Sequence, residues 1–272
     1  MNNAVDNKPV SRVLIALDAM QENPGALETA IALAAHRQSE LMMLFIEDMN
    51  LVNLAGLPFA SEIDRISATE RKLDSIQMTR TFRSQAQRLT RQLEQMTRQK
   101  NVSYSLKIVR GHYMQEALSA FEVMDVLFMS RTVGKYSKRI TEQNLASQKP
   151  VSHYHVSPNA VWLIYNDNPA IERAFTLASD IASATQRNLV VMIHGDEDRV
   201  SQVKQQISQY GDRDFAINYF IFAPVIQEDA VIEVLRSRQC EMLVLPISPE
   251  GEEQRKADRF LEGLEIPVVV VR

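Results

Sequence analysis

Side chains that could bind a ligand are concentrated in two places along this sequence. Asp18 directly follows the apolar run Val13 to Leu17. If that run is a strand, Asp18 stands at its carboxyl end, where an open α/β sheet forms its ligand crevice. The alternative is a polar strand end that caps the following loop. The second place is a basic loop whose cations could neutralise phosphates or form a solvated surface: Arg131, Lys135, Lys138 and Arg139.

Metal and nucleophile chemistry has little support in the residue types and their spacing. His153 and His155 would face the same way on a strand, but no Cys or carboxylate lies nearby in sequence to complete a metal site. His112 follows Gly111 at a predicted strand end and is a candidate ligand contact. Cys240, the only cysteine, is expected in the core rather than as a nucleophile. With no nucleophile elbow, zinc-protease helix motif or dinucleotide fingerprint in the chain, we predict neither catalytic residues nor a metal.

The elements that must position Asp18 are a strand, a helix and a second strand. Val13 to Leu17 is continuously apolar, as expected for a parallel strand covered on both faces. After a break at Asn23-Pro24-Gly25, apolar residues recur at helical spacing from Ala26 to Ala34, and Leu41 to Ile46 is a second buried strand. A strand, a crossover helix and a parallel strand form a right-handed βαβ unit.

The same unit occurs twice in the sequence. A shift of 148 residues places Val161 to Asn166 under Val13 to Asp18, and Phe175 under Leu27. A repeat of this length indicates two similar domains rather than a solenoid, whose periods are roughly 20–50 residues. With a boundary at Ser157-Pro158-Asn159, we predict domains over 11–157 and 159–272. Each is expected to be an α/β domain with a doubly wound, mostly parallel five-stranded sheet and flanking helices.

A long arm at about 59–100 distinguishes the first domain from the second, which has only Glu197 to Asp214 there. A continuous amphipathic helix from Leu73 to Gln99 is predicted, because apolar residues recur at steps of four and three: Phe82, Ala86, Leu89, Leu93 and Met96. A short helix is expected around Glu62 to Ile66, and Met49 to Pro58 is interpreted as an apolar connection. Because the long helix exceeds the length that one sheet usually covers, we expect part of it in an interface.

Further strands and helices complete the two sheets. The predicted strands are Tyr104 to Val109, Val126 to Met129, Val151 to Val156, Phe215 to Phe222, Met242 to Leu245 and Ile266 to Val271. The predicted helices are Met114 to Val123, Val225 to Arg238 and Gln254 to Leu264. An approximate two-fold axis is expected to relate the two sheets through their fifth strands, Val151 to Val156 and Ile266 to Val271.

Composition excludes several classes of function. The net charge of −4 is mild, and no apolar run approaches the roughly 18–20 residues that cross a bilayer. We therefore expect no membrane segment. A polar amino-terminal segment and a single cysteine favour the cytoplasm. The arginines of the long helix are diluted by acidic residues and accompanied by few aromatics, which argues against nucleic acid. A solvated face or a surface for an acidic protein partner is the expected role of these arginines.

Several segments of the sequence resemble those of a known family. VLIALD at 13–18, ALETAIALA at 26–34 and LMMLFIED at 41–48 resemble the opening of universal stress proteins. VRG at 109–111 and DVLFM at 125–129 resemble their third and fourth strands, and CEMLVL at 240–245 and IPVVVV at 266–271 resemble the last two strands. The resemblance covers most of both halves except the long arm. It implies a tandem protein of two adenine nucleotide α-hydrolase-like, Rossmann-like domains, often associated as a pseudo-dimer.

The resemblance also implies where a nucleotide would bind. Nucleotide-binding members carry Gly-x2-Gly-x9-Gly-Ser/Thr after the fourth strand and an acidic residue at the end of the first strand. Asp18 matches the acidic position, whereas Ser130 and Val133 fall where the two glycines belong and Gly134 is displaced by one. The candidate ligand-binding residues are therefore Asp18, Ser130, Arg131, Gly134 and Lys135.

The second domain departs further from that motif. Pro246 and Pro249 occupy both glycine positions, and Asn166 replaces the acidic residue. Proline has no N–H and a fixed φ, so it removes both a donor and the freedom that a phosphate nest requires. ATP or AMP is accordingly expected in the first domain alone, if the protein binds a nucleotide.

The function that this resemblance favours is a non-enzymatic binding or regulatory role in a stress response, through a partner or a small ligand. The alternative is an adenine-nucleotide-binding protein that hydrolyses ATP at most slowly in its first domain. Self-association or a protein partner is expected through the long helix and the fifth strands.

Overall fold

The computed structural model describes residues 12–19, 24–63, 68–121, 124, 126–129, 160–209, 214–222, 228–238, 240–247, 260–261, 263–264 and 266–272. These residues divide into two compact units, one within 12–129 and one within 160–272. The predicted domain boundary at 157–159 and the predicted strand Val151 to Val156 lie outside the described residues. The domain limits therefore stay a prediction.

The first unit contains a parallel sheet with helices on both faces. In chain order its elements are β1 (Arg12–Asp18), α1 (Pro24–His36), β2 (Glu40–Asp48), α2 (Met49–Ala55), β3 (Ser61–Ile63), β4 (Glu70–Lys72), α3 (Ser75–Lys100), β5 (Tyr104–Gly111), α4 (Tyr113–Phe121) and β6 (Val126–Met129). The strand order is β5-β2-β1-β6, and all of these neighbours pair in parallel. Right-handed crossovers from β1 to β2 and from β2 to β5 place α1 and α3 on one face, while the return to β6 places α4 on the other. Since both faces are covered, Val13 to Ala16 are fully buried.

The boundaries of the predicted strands that lie within the described residues, and of the long helix, are confirmed within one or two residues. The α3 helix spans 26 residues; Asp74 caps its start by accepting the N–H of Ile76, and Asn101 ends it in the left-handed conformation. Asn tolerates that conformation better than most residues, so the helix ends there. The α4 helix is held on the sheet by Tyr113, whose hydroxyl donates to the Ala16 carbonyl oxygen at 3.0 Å.

Three expectations for short segments are wrong. Pro24 and Gly25 open α1 instead of breaking the chain before it, because the fixed φ of proline suits a first helical turn. The apolar connection after β2 is the helix α2, which begins because the Asp48 carboxylate accepts the N–H of Asn50 at 2.9 Å. Instead of a helix near residue 62, β3 pairs antiparallel with β4 in a hairpin.

The second unit contains a five-stranded parallel sheet. Its elements are β7 (Ala160–Tyr165), α5 (Ile171–Thr185), β8 (Asn188–His194), α6 (Glu197–Ser208), β9 (Ile217–Phe222), α7 (Glu228–Ser237), β10 (Met242–Pro246) and β11 (Val268–Val271). The strand order is β11-β10-β7-β8-β9. Trp162 anchors the core, with its ring centroid 6.0 Å from that of Phe220. Most of the predicted helix Gln254 to Leu264 lies outside the described residues.

The opening βαβ segments of the two units share one register. Arg12 pairs with Glu40 in the first unit, and Ala160 pairs with Asn188 in the second. Asp48 and Asp196, which also correspond under the 148-residue shift, cap the helices that follow the second strand of each unit. The predicted fold class, α/β with doubly wound and mostly parallel sheets, is confirmed. None of the helices in the described ranges combines the length and apolar character of a membrane span.

Candidate functional site

A cavity of about 300 Å³ lies between α3, α1 and the carboxyl ends of β1 and β2. Asp18, predicted from its position after the first strand, lines this cavity and is 7% exposed. The other four sequence candidates, Ser130, Arg131, Gly134 and Lys135, lie outside the described residues, as do His153 and His155. Of the predicted ligand-binding set, the structure therefore places Asp18 alone, at a cavity.

The cavity has apolar walls on two opposite sides. Leu17 and Phe45 come from the strands and Leu27 from α1, whereas Leu89 and Met96 face them from α3. Within the apolar stripe of α3, Phe82 and Leu93 are fully buried, whereas Leu89 and Met96 are half-buried. They are incompletely covered because they face the cavity instead of side chains of α1.

The rim of the cavity is polar and carries side-chain amides from one face of α3. Gln85, Gln92, Gln95 and Gln99 line it, together with Glu28 and Asp18. No hydrogen bond joins the four amide side chains to any part of the chain that the structure describes. Lys, Arg and His are absent from the described lining. The cavity therefore offers free amide donors and acceptors beside two carboxylates, and no described cation.

A second, smaller cleft lies on the other side of α3. It measures about 240 Å³ and is lined by Arg83 and Gln87 from α3 and by Glu47, Ile108 and Arg110 from the sheet, among others. The Nε and Nη2 atoms of Arg110 both donate to Oε2 of Glu47, at 2.9 and 2.6 Å. These two residues are register partners on β5 and β2, so the ion pair follows from the strand pairing.

In the second unit, larger side chains occupy the positions that correspond to two walls of the cavity. Tyr165 corresponds to Leu17, and Phe175 corresponds to Leu27. Tyr165 is 8% exposed, and its hydroxyl lies 3.0 Å from Oε1 of Gln206 on α6, to which it donates. Phe175 is fully buried. Among the described residues of the second unit, Tyr165 therefore reaches α6, and larger side chains stand at two positions that line the cavity in the first unit.

Polar contacts bridge the same region of the second unit at its surface. Asp167, beyond the end of β7, forms an ion pair with Arg199 on α6. Oδ1 of Asn166, which replaces Asp18, accepts the N–H of Asn168 at 3.2 Å and is used in a local turn. Burial raises the pKa of the Tyr165 hydroxyl, while the nearby Arg199 opposes that rise. Tyr165 therefore stays neutral at physiological pH, as its hydrogen bond requires.

Reactive groups are not assembled around either cavity within the described ranges. Cys240 is buried, as predicted, and burial raises the pKa of its thiol, so a thiolate is disfavoured. His112 is exposed and lines neither cavity; its carbonyl accepts the N–H of Glu116 at 2.9 Å. Among the described residues, no three His, Cys, Asp or Glu side chains come together as a metal site would require.

No protein-family model and no curated protein matches the chain in sequence. A universal stress protein from Archaeoglobus fulgidus DSM 4304 is similar in structure, with a TM-score of 0.52 and 11% identity over 95% of this chain and 96% of that one. A protein of unknown function from Pseudomonas aeruginosa PAO1 has a TM-score of 0.47 and 13% identity over 96% of this chain and 92% of that one. At such identities the likeness shows the fold and nothing more: this chain has the fold of a universal stress protein.

Proposed function

We propose that this protein is a non-enzymatic binding module of the universal stress protein family, which acts in a stress response in the cytoplasm by holding a small ligand or a partner. The observation that carries the proposal is the cavity of the first unit. It has apolar walls, free amides at its rim and Asp18 beside the end of β1, the combination of apolar surface and a few polar groups that is typical of ligand pockets.

The chemistry of the lining favours binding over catalysis. Catalysis by a hydroxyl, thiol or amine nucleophile needs a Ser, Thr, Cys or Lys beside a base, and none of these residue types lines the cavity among the described residues. Glu28 is exposed, whereas a carboxyl group that acts as a general acid typically lies in an apolar pocket. Amides recognise a ligand without reacting with it.

The alternative function keeps an adenine nucleotide in the first unit, with slow hydrolysis at most. The position of Asp18 at the cavity favours it, because the family resemblance puts the adenosine contact at the end of the first strand. ATP or AMP would then need Ser130, Arg131, Gly134 and Lys135 to hold its phosphates.

Native mass spectrometry of the full chain, purified without added ligand, tests the proposal. We expect a mass excess that disappears on denaturation and is accompanied by a released small molecule. A released ATP or AMP would establish the alternative instead. A chain that carries no small molecule, gains none from a cell extract and associates with no copy or partner would contradict both functions.

We further propose that the two units are tandem universal stress protein domains and that the arm mediates self-association. Three apolar side chains of the arm are strongly exposed: Phe59 by 80%, Ile63 by 67% and Ile76 by 63%. An exposed apolar patch commonly marks an interaction site, and we propose that these side chains contribute to one. The fifth strands are the second proposed contact.

Replacing Phe59 and Ile63 with Ser is expected to weaken self-association without unfolding the chain, because neither side chain is part of the core. We expect sedimentation velocity to show a shift toward the monomer of at least about tenfold in dissociation constant, or roughly 1.4 kcal/mol. Ile108→Ser is the matched control, since Ile108 is 52% exposed but lies on β5 outside the arm. Equal effects of the double variant and the control would contradict a role for the arm.

A further inference from the structure

The outer edge of β5 has no partner strand in the part of the chain that the structure describes. β5 pairs in parallel with β2, from Leu41↔Tyr104 to Asp48↔Gly111, and with no other described strand. The N–H of Leu41 donates to the Ser103 carbonyl oxygen at 2.9 Å. Since a parallel ladder uses alternate residues of a strand, the bonds to β2 use the odd-numbered residues of β5. The N–H and C=O groups of its even-numbered residues therefore point away from β2.

These outward main-chain groups belong to Tyr104, Leu106, Ile108 and Arg110. None of them bonds to a described residue. An unpaired strand edge is a template for another strand, and many proteins bind extended peptides by adding them to such an edge. β5 spans 8 residues, so a peptide of six residues would find hydrogen-bonding groups along its whole length.

The cleft between α3 and the sheet lies beside this edge. Ile108 and Arg110 line it from β5. They face the same way because side chains two residues apart on a strand lie on one face. Ile108 is 52% exposed, so about half of its surface remains available for contact. The cleft of about 240 Å³ can thus receive side chains from a strand that is added to β5.

The charge of the cleft favours an acidic side chain in that strand. Arg110 pairs with Glu47 through Nε and Nη2. Arg83 lines the cleft from α3, is exposed, and forms no side-chain hydrogen bond or ion pair with any described residue. A guanidinium binds a carboxylate by two parallel hydrogen bonds. Among the described lining residues, Arg83 is therefore the group that a carboxylate of the added strand would reach.

A second copy of this chain is disfavoured as the added strand. β5 carries Lys107 and Arg110, both exposed, and no acidic residue. Two β5 strands paired with each other would bring like charges together, which destabilises a strand pair. Exposed cations on an edge strand are also a common protection against self-pairing. An acidic partner would meet attraction instead of repulsion.

We infer that β5 binds an extended, acidic peptide segment of a partner protein, which adds a strand to the outer edge of the sheet. An apolar side chain of the segment lies on Ile108, and a neighbouring carboxylate on the same face binds Arg83. The inference rests on the proposed function in that it specifies a partner. It concerns a surface other than the cavity, so it does not depend on a small ligand there.

The probe for the test is the capped peptide Thr-Val-Thr-Glu-Thr-Val, whose two Val and one Glu side chains share one face of a strand. Titration into the full chain is expected to give a dissociation constant of about 0.1 mM, and about fivefold weaker binding when Gln replaces Glu. Hydrogen exchange of the Ile108 and Arg110 amides, followed by NMR, should slow by at least about tenfold at saturation. The amides of Lys107 and Val109, which already bond to β2, should exchange as before.

Two protein variants test the role of the guanidinium. Arg83→Gln is expected to weaken binding of the Glu peptide about fivefold and to leave that of the Gln peptide unchanged. Arg91→Gln is the matched control, because Arg91 is exposed on the same helix but does not line the cleft. It should leave both affinities unchanged. All of these side chains are suited to a helix, so both variants should fold.

Two N-methylated forms of the peptide separate strand addition from charge attraction alone. One form is methylated on the main-chain nitrogens of its three odd residues, and the other on those of its three even residues. Because a paired strand directs alternate N–H groups at its neighbour, one form should bind at least about tenfold more weakly, while the other should bind as the parent peptide does.

Four results would overturn the inference: equal binding of the Glu and Gln peptides, equal effects of the two N-methylated forms, unchanged exchange of the Ile108 and Arg110 amides, or no saturable binding. Exchange of these two amides that slows with protein concentration in the absence of peptide would assign the edge to a second copy, and would overturn it as well. Each result is distinguishable from a failure of the proposed function, which is judged by the small molecule or partner that the purified protein carries.

Discussion

Leu93→Asp is expected to unfold the first unit, whereas Leu89→Asp, one helical turn away, is expected to leave it folded. Leu93 is fully buried in the interface of α3 with the rest of its unit, while Leu89 is half-buried and faces the cavity. A carboxylate at position 93 would be buried without a partner, at a cost of roughly 4–5 kcal/mol or more. That cost is comparable with the whole stability of a typical domain, about 5–15 kcal/mol.

Urea denaturation followed by circular dichroism measures the difference between the two variants. We expect Leu89→Asp to lose no more than about 1–2 kcal/mol of unfolding free energy, because water in the cavity can solvate the new carboxylate. Similar losses for the two variants would show that α3 packs on its unit without leaving a cavity at position 89.

The second prediction is that Leu17→Tyr combined with Leu27→Phe closes the cavity and keeps the fold. The second unit already carries these side chains at the corresponding positions, in the same register of strands. Because the added volume enters existing space, we expect the melting temperature to fall by no more than about 5 °C, equivalent to roughly 1–2 kcal/mol. Affinity for a small planar probe such as benzamide should fall by more than about tenfold, since the probe and the new rings compete for one space.

The reverse exchange in the second unit is expected to destabilise the fold. Tyr165→Leu combined with Phe175→Leu removes buried rings and the hydrogen bond to Gln206, so a loss of about 2–4 kcal/mol is expected. Calorimetry of both double variants measures the contrast. Equal destabilisation by the two exchanges would indicate that the first unit has no usable space beneath α3.

Periodicity predicted the long elements well and the short ones badly. A short, continuous apolar run such as Leu41 to Ile46 is typical of a parallel strand covered on both faces. The apolar stripe on α3 extends over many turns, which makes a helix easy to recognise. The segment from Met49 to Ile63 is short and carries conflicting signals. Its helix begins at the Asp48 cap, and its hairpin forms by pairing with residues 70–72. Residue propensities summed over a short stretch of sequence contain neither of these interactions.

The candidate site was predictable in position but not in chemistry. Asp18 ends β1, as the apolar run before it predicted, whereas its role as a ligand contact stays a prediction. The four glutamines were overlooked, although Gln85, Gln92, Gln95 and Gln99 recur at steps of seven, three and four and so share a helix face. What the sequence lacks is the distance between α1 and α3, on which the existence of a cavity depends.

The most direct test of the central claim, that the first unit holds a small ligand beneath α3, is methyl NMR of the full chain during titration with benzamide, a small planar molecule that serves as the probe. The methyl groups of Met96 and Leu89 line the cavity, whereas Met192 is buried in β8 of the second unit. We predict saturable shifts for Met96 and Leu89, none for Met192, and loss of the response in the variant that carries Leu17→Tyr and Leu27→Phe. Shifts at Met192, or an unchanged Met96 signal at saturating benzamide, would contradict the account.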